Sequence, residues 1–192
     1  MAKEAQSRIL DIGIGSGGGY IDLDGPGTLR VGMDMYNSRL KKLKQHYATP
    51  VCRADAEDGL PFPADTFPNI EMMFPHNELL FGLVTAKAQL WKELYRVLKD
   101  GGSVEIVFDV PPEGYREIEF KDGKIVRLLQ PEDRMWRVAA NFGFEVAVKM
   151  LTRSQVRAIG SKFAYITAKH MKDPHHKAYL LQAFKHGENL IR

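Results

Sequence analysis

The sequence predicts an α/β fold, a single doubly wound and mostly parallel sheet with an antiparallel last strand. Three observations predict it. Short apolar or β-branched runs alternate with helical patterns along the 192 residues. The runs are apolar on successive residues, as strands of a parallel sheet buried on both faces must be. A glycine-rich bend follows the first run, where such sheets turn from strand to helix.

The predicted strands are "RILDIG" (8–13), "LRVGMD" (29–34), "TPVCRAD" (49–55), "NIEMMF" (69–74) and "SVEIVFDV" (103–110). Only "GGYIDLDGPG" (18–27) separates the bend from the second strand, so any helix there has about two turns or fewer and ends before Pro26. Asn37 or Ser38 is placed to cap "RLKKLKQHY". Thr85 is placed to cap "AKAQLWKELYRVLK", whose Leu90, Leu94 and Leu98 form one stripe before Gly101 and Gly102 stop the helix. The segment 111–130 carries a hairpin turn at Lys121-Asp122-Gly123-Lys124 and reads as an insertion beside the site. Pro131 suits the first turn of a helix through "EDRMWRVAANF", and "GFEVAVKML" (143–151) alternates as a strand. Thr152 opens a helix to about Lys169, and "KAYLLQAF" (177–184) is the expected antiparallel closing strand.

Nothing marks a linker or repeat, so 1–192 is expected as one domain: a core at 8–109, the hairpin at 111–130 and a C-terminal region at 149–192. Apolar residues make up 44% and charged residues 27%, the balance of a folded globular chain. A domain of this length buries about 70% of its unfolded surface and needs no metal or disulfide for stability. Cys52, the only cysteine, is expected as a small hydrophobe in a buried strand. No apolar stretch approaches membrane-spanning length, and "MAKEAQSRILDIG" enters a strand directly, so a cytoplasmic location without membrane partners is expected. Charge is uneven. Residues 149–192 carry nine Lys and Arg against two acids, while the rest carries 18 bases against 22 acids. A basic end on a mildly acidic body suits a polyanionic partner such as RNA, with a solvated surface as the alternative.

In "DIGIGSG" (11–17), Gly13, Gly15 and Gly17 form a turn that lets backbone approach a ligand closely. Asp34 ends the next strand, 21 residues after Gly13, where a carboxylate accepts hydrogen bonds from both ribose hydroxyls. The pair points to an adenosine-type cofactor. No Gly-Lys-Ser/Thr follows, which excludes a Walker phosphate loop and leaves a dinucleotide or S-adenosylmethionine. Asp11 would repel a pyrophosphate and suits the cationic amino-acid portion of S-adenosylmethionine.

With "ADAEDGLPF" (54–62) and "PADTF" after the third strand, the chain resembles the class I S-adenosylmethionine-dependent methyltransferases, whose sheet is Rossmann-like. The resemblance runs from about residue 8 to 109 and includes "LYRVLKDGGSVEIV" (94–107). It implies that Asp11, Gly13, Gly15 and Gly17 form the first motif, Asp34 is the ribose-binding acid, Asp55 and Ala56 contact the adenine, and Met35 and Glu57 belong to the same cofactor-binding set. Methyl transfer by in-line displacement is the expected reaction, with no metal.

The fourth strand ends in Phe74, Pro75, His76 and Asn77, the expected catalytic segment. It departs from the Asn/Asp-Pro-Pro-aromatic signature of amino-methylating enzymes. Carbonyls beside Pro75 could accept from an amine, and His76 could stack on a base or take a proton. "IEMMFPHNELL" (70–80) and "LTRSQVRAIGSKFAYITAK" (151–169) also resemble the ribosomal RNA adenosine-N1 methyltransferases of aminoglycoside resistance. Those enzymes sandwich a flipped base between two tryptophans. His76 and Phe163 take those places here, and Arg153, Arg157, Lys162 and Lys169 would meet phosphates. The expected acceptor is therefore a base of structured RNA. A small metabolite is the alternative, and a non-catalytic cofactor-binding protein is the second.

His170, Asp173, His175 and His176 match no common zinc spacing, so no metal ligand is assigned. Trp91 and Trp136 lie on helical stripes and read as core, whereas Tyr20 and Tyr36 read as lining the cofactor cleft. The sequence sets no oligomeric state.

Overall fold

A computed structural model of the chain describes residues 7–14, 27–46, 49–73, 84–110, 117–119, 125–127, 137–160 and 177–186. Strand β1 (Ser7–Ile12) leads into the bend, and β2 (Thr28–Asp34) runs parallel beside it, with Leu10 opposite Val31 and Ile12 opposite Met33. Helix α1 (Asn37–His46) crosses to β3 (Val51–Arg53), which pairs parallel with β2. Strand β4 (Phe67–Met73) flanks β1 on its other side, and α2 (Val84–Val97) leads into β5 (Leu98–Val110), parallel to β4. Strands β6 (Glu117–Glu119) and β7 (Ile125–Arg127) form a separate antiparallel ribbon around residues 120–124, as the hairpin turn predicts. Past helical residues 137–141 come β8 (Phe144–Met150), α3 (Arg153–Gly160) and β9 (Lys177–Lys185).

The sheet order is β3-β2-β1-β4-β5-β9-β8. Strand β9 is antiparallel to both β5 and β8, the predicted direction, and lies between them. The order reverses direction between β1 and β4. In open α/β sheets ligands bind at such a switch point, outside the carboxyl ends of the strands.

Side chains alternate across the sheet, and the two faces differ in chemistry. One face carries Leu10, Ile12, Met33, Ile70, Met72, Val104, Ile106, Phe108 and Leu181, packed with Leu90, Trp91, Leu94 and Val97 of α2 into one buried cluster. Trp91 is therefore core, as its helical stripe predicts, and meets Phe144 edge-on at 5.5 Å. The opposite face carries Asp11, Arg30, Asn69, Glu71, Ser103, Glu105 and Gln182, a polar set linked partly within itself. Asn69 accepts from Ser103 Oγ at 3.2 Å, and Glu105 accepts from Gln182 at 2.8 Å.

Several boundaries differ from the sequence expectation. The helix expected to reach Lys99 ends at Val97, because Leu98 already pairs with Phe67 in the sheet. Register then jumps to Asn69 opposite Ser103, and the bulge contains Gly101 at φ +74° and Gly102. A Cβ on Gly102 would stand 2.6 Å from the Pro68 carbonyl oxygen, so only glycine lets the strands close there. The glycines shape the strand entry as well as ending the helix. Asn37 and Ser38 lie in the first turn of α1 and do not cap it, and the Tyr36 carbonyl accepts from the Arg39 and Leu40 N–H groups. The Asp34 carboxylate accepts from the Tyr36 N–H at 2.8 Å and turns the chain into the helix sooner than expected. Thr85 likewise lies inside α2. Thr152 does cap α3: its hydroxyl accepts from the Gln155 N–H while the Gln155 side chain accepts from the Thr152 N–H. Cys52 is half-buried on the short edge strand β3 and not fully enclosed. The expected helices at 18–25 and 132–136, with Tyr20 and Trp136, lie outside the described residues.

Candidate active site

The carboxyl ends of β1, β2 and β3 gather much of the expected cofactor set at one edge of the switch point. Gly13 adopts φ +77°, a conformation costly for any residue with a Cβ, and its N–H donates to the Met33 carbonyl at 2.7 Å. The bend is thereby folded against the end of β2, beside Asp34. Among the described residues, nothing lies within 4 Å of a Cβ placed on Gly13, room in which a ligand can lie against backbone. The Ala54 N–H donates to the Asp34 carbonyl at 3.3 Å and brings the end of β3 to the same place.

Asp34 is buried, with 4% of its surface exposed. One carboxylate oxygen is engaged by the Tyr36 N–H, and the other lies 3.7 Å from the exposed Arg39 guanidinium. Arg39 also sits 4.5 Å over the Tyr36 ring. Next to this carboxylate, Met35 and Tyr36 are 47% and 49% exposed, large apolar side chains left open to solvent where a nucleoside would pack. Asp55 accepts from the Glu57 N–H at 3.0 Å, forming a turn just past β3. The Ala56 side chain points into the apolar core, so only its backbone can face an adenine, and Glu57 is exposed.

Two helix residues that the sequence reading does not single out hold this loop. Glu93 accepts from the Leu60 N–H at 3.0 Å, and Arg96 donates to the Leu60 and Phe62 carbonyls at 2.8 and 2.7 Å while pairing with Glu93 at 2.6 Å. The Arg96 hydrogen bond holds the Glu93 carboxyl below the usual glutamate range despite its burial. A glutamate and an arginine three apart on a helix facing "GLPF" are the sequence signal for this clamp.

Beneath the bend lies a second group outside the sequence reading. The guanidinium of Arg30 in β2, 3% exposed, reaches Asp11 of β1 at 3.1 Å and Glu71 of β4 at 2.7 Å. Arg30 and Glu71 interrupt apolar strands at positions of the same parity, and that interruption is their only sequence signal.

Gly15, Gly17, Phe74, Pro75, His76, Asn77, Lys162, Phe163 and Lys169 lie outside the described residues, as do His170, Asp173, His175 and His176. Arg153 is exposed at the start of α3, which also contains Arg157. Strand β8 is parallel to β5, so α3 begins at the same end of the sheet as the bend, with β4, β5 and β9 between. Among the described residues no group of three or more His, Cys, Asp or Glu could hold a metal ion. Among them, too, no helix is long and apolar enough to cross a membrane.

A family model described as a methyltransferase domain matches residues 10–106, just over half of the chain. The chain belongs to the methyltransferase-domain family. Solved structures agree in fold. The chain superimposes on the [4+2]-cyclase SpnF with TM-score 0.64 at 17% identity, covering 95% of this chain and 76% of that one. An S-adenosylmethionine-dependent methyltransferase from Mesorhizobium loti gives TM-score 0.60 at 15% identity, covering 95% and 93%. Phosphoethanolamine N-methyltransferase 2 from Haemonchus contortus, in complex with S-adenosyl-L-methionine, gives 0.65 at 18% identity, and this chain spans 97% of itself and half of that protein. No curated protein matches the chain.

This methyltransferase is thus of the class I, S-adenosylmethionine-dependent kind, with the seven-stranded, mostly parallel sheet of that class. The residues present fit the cofactor. A glycine bend at positive φ, a buried carboxylate ending the adjacent strand and two exposed apolar side chains beside it suit a nucleoside carrying a cationic tail.

Proposed function

We propose that the chain methylates a small-molecule acceptor, using Asp34 to grip the cofactor ribose, the Gly13 bend and Asp11 to receive its amino-acid portion, and Met35 with the loop at Asp55 and Ala56 to enclose its adenine. The observation that carries the acceptor class is the point at which the β6–β7 ribbon leaves the sheet. It follows the carboxyl end of β5, on the same side of the sheet as Asp34 and the bend. A ribbon inserted there can cover a compact acceptor and exclude water. Phosphoethanolamine N-methyltransferase, of similar fold, acts on an acceptor of that size by its name.

S-adenosylmethionine supplies a methyl group on a sulfonium, already a strong electrophile. The work left to the chain is alignment of the nucleophile and exclusion of water, a positional effect worth several kcal/mol. Phe74, Pro75, His76 and Asn77, which follow β4 at the switch point, are the proposed acceptor segment, with Pro75 stiffening it and His76 able to accept a proton. The test is a methyl-transfer screen of small amines, alcohols and thiols, read as S-adenosylhomocysteine release. Turnover with one of these classes is expected, and labelling of RNA alone would overturn the reading.

The second reading, a base of structured RNA, is favoured by the basic C-terminal region. Lys149 and Arg153 are exposed at the end of the sheet that holds the bend, and Arg157, Lys162, Lys169 and Phe163 follow in sequence. RNA binding that weakens steeply between low and moderate salt would support it, because neutralised phosphates release counterions. Affinity indifferent to salt would remove it.

A further inference from the structure

Charged side chains do not belong in the middle of a parallel sheet, and their presence there calls for a reason. Asp11, Glu71 and Glu105 stand in register across three adjacent strands, where like charges repel. Glu105 is engaged by Gln182. The other two both bond the buried Arg30. One guanidinium nitrogen lies 2.7 Å from Glu71 and 3.1 Å from Asp11. Asp11 is two residues before the Gly13 bend, and Glu71 lies three residues before the proposed acceptor segment. An arginine bound to Asp11 alone would neutralise the carboxylate that the cofactor's ammonium needs.

We propose that Glu71 is a positioning residue for the cofactor: as a second carboxylate on Arg30, it offsets the arginine's charge and leaves the Asp11 carboxylate its negative charge for the amino-acid portion of the bound nucleoside. Arg30 and Glu71 act as a unit. Glu71 has no task once Arg30 is absent, and Arg30 without Glu71 is a competitor of the ligand. A buried arginine forms two short charge-assisted bonds with carboxylates more readily than a lysine could, which explains its residue type. The inference rests on the placement of Asp11 against the cofactor's amino-acid portion.

The test uses the full chain and two nucleosides, S-adenosylhomocysteine, which carries the amino-acid portion, and 5′-methylthioadenosine, which lacks it. Binding is measured calorimetrically for the native chain, Asp11→Asn, Glu71→Gln and the double variant Arg30→Met with Glu71→Gln, each checked for native circular dichroism. Glu71→Gln is expected to weaken S-adenosylhomocysteine by about tenfold, the order expected for one partly screened charge, and to leave methylthioadenosine unchanged. The double variant is expected to recover most of the loss. The dependence on the nucleoside is the outcome a merely structural role would not produce: deleting both members of a buried ion pair can restore stability whatever their role, but a structural defect would weaken the two nucleosides alike.

Equal weakening of both nucleosides in folded Glu71→Gln, or no recovery in the double variant, would overturn the proposal. If Glu71→Gln does not fold, the double variant decides: native preference for S-adenosylhomocysteine supports the unit, and lost preference overturns it. Asp11→Asn separates the two layers of inference. If it fails to discriminate between the nucleosides, the placement of Asp11 is wrong and the role of Glu71 falls with it. If Asp11→Asn discriminates and Glu71→Gln does not, only the role of Glu71 fails.

Discussion

The two faces of the central sheet are made from the same strands and do different work. On the face under α2, side chains from β1, β2, β4, β5 and β9 are apolar and closed off from solvent. On the other, the same strands present Asp11, Arg30, Asn69, Glu71, Ser103, Glu105 and Gln182, groups that are costly to bury and must be paired. The apolar face supplies the favourable burial that lets the sheet tolerate the polar one. On the proposed placement of the cofactor, stability and ligand recognition are separable, and substitutions on the two faces should affect different measurements.

The largest expected effect is on the apolar face. Leu94→Ala removes a fully buried side chain at the centre of the cluster and should cost ~2–5 kcal/mol of stability, seen in denaturant unfolding, with cofactor affinity of the folded fraction unchanged. A matching loss of affinity would break the separation. Asp34→Ala should do the reverse. It should cost ~3 kcal/mol, or roughly a hundredfold, in S-adenosylmethionine affinity by calorimetry through the loss of charge-assisted bonds to the ribose, while thermal stability changes less.

Gly102→Ala probes the junction where α2 delivers the chain into β5. The added Cβ meets the Pro68 and Lys99 carbonyl oxygens at 2.6 and 2.8 Å, backbone atoms that cannot move aside cheaply. A loss of ~1–3 kcal/mol is expected in unfolding experiments. The smallest effect is on the clamp between α2 and the loop at Leu60 and Phe62. Because Arg96 depresses the Glu93 pKa, this pair contributes stability above the ordinary glutamate range, and the contribution is lost as pH falls through the folded-state value. Glu93→Gln should lower the melting temperature near neutral pH and flatten its acid limb, whereas an unaltered acid limb would show that the clamp carries no charge linkage.

Legibility differed by region for physical reasons. The strands β1, β2, β4 and β5, the bend at Gly13 and the acid at Asp34 are local signals: apolar runs, a glycine where backbone must turn, a carboxylate at a strand end. The antiparallel pairing of β6 with β7 is equally readable. The start of α1 and the end of α2 are not legible locally, because the Asp34 side chain starts one helix and the Leu98–Phe67 pairing ends the other, contacts that lie outside the helices themselves.

What the sequence by itself determined is the alternation of elements, the glycine bend and the acid that follows it, because each depends on backbone conformation or periodicity within a few neighbouring residues. Only the tertiary structure decided that Arg30 stands between Asp11 and Glu71, that Glu93 and Arg96 hold Leu60, and that β9 lies between β5 and β8. Those contacts join residues tens of positions apart, and the energy of an ion pair or a strand pairing exists only once the fold brings its partners within reach.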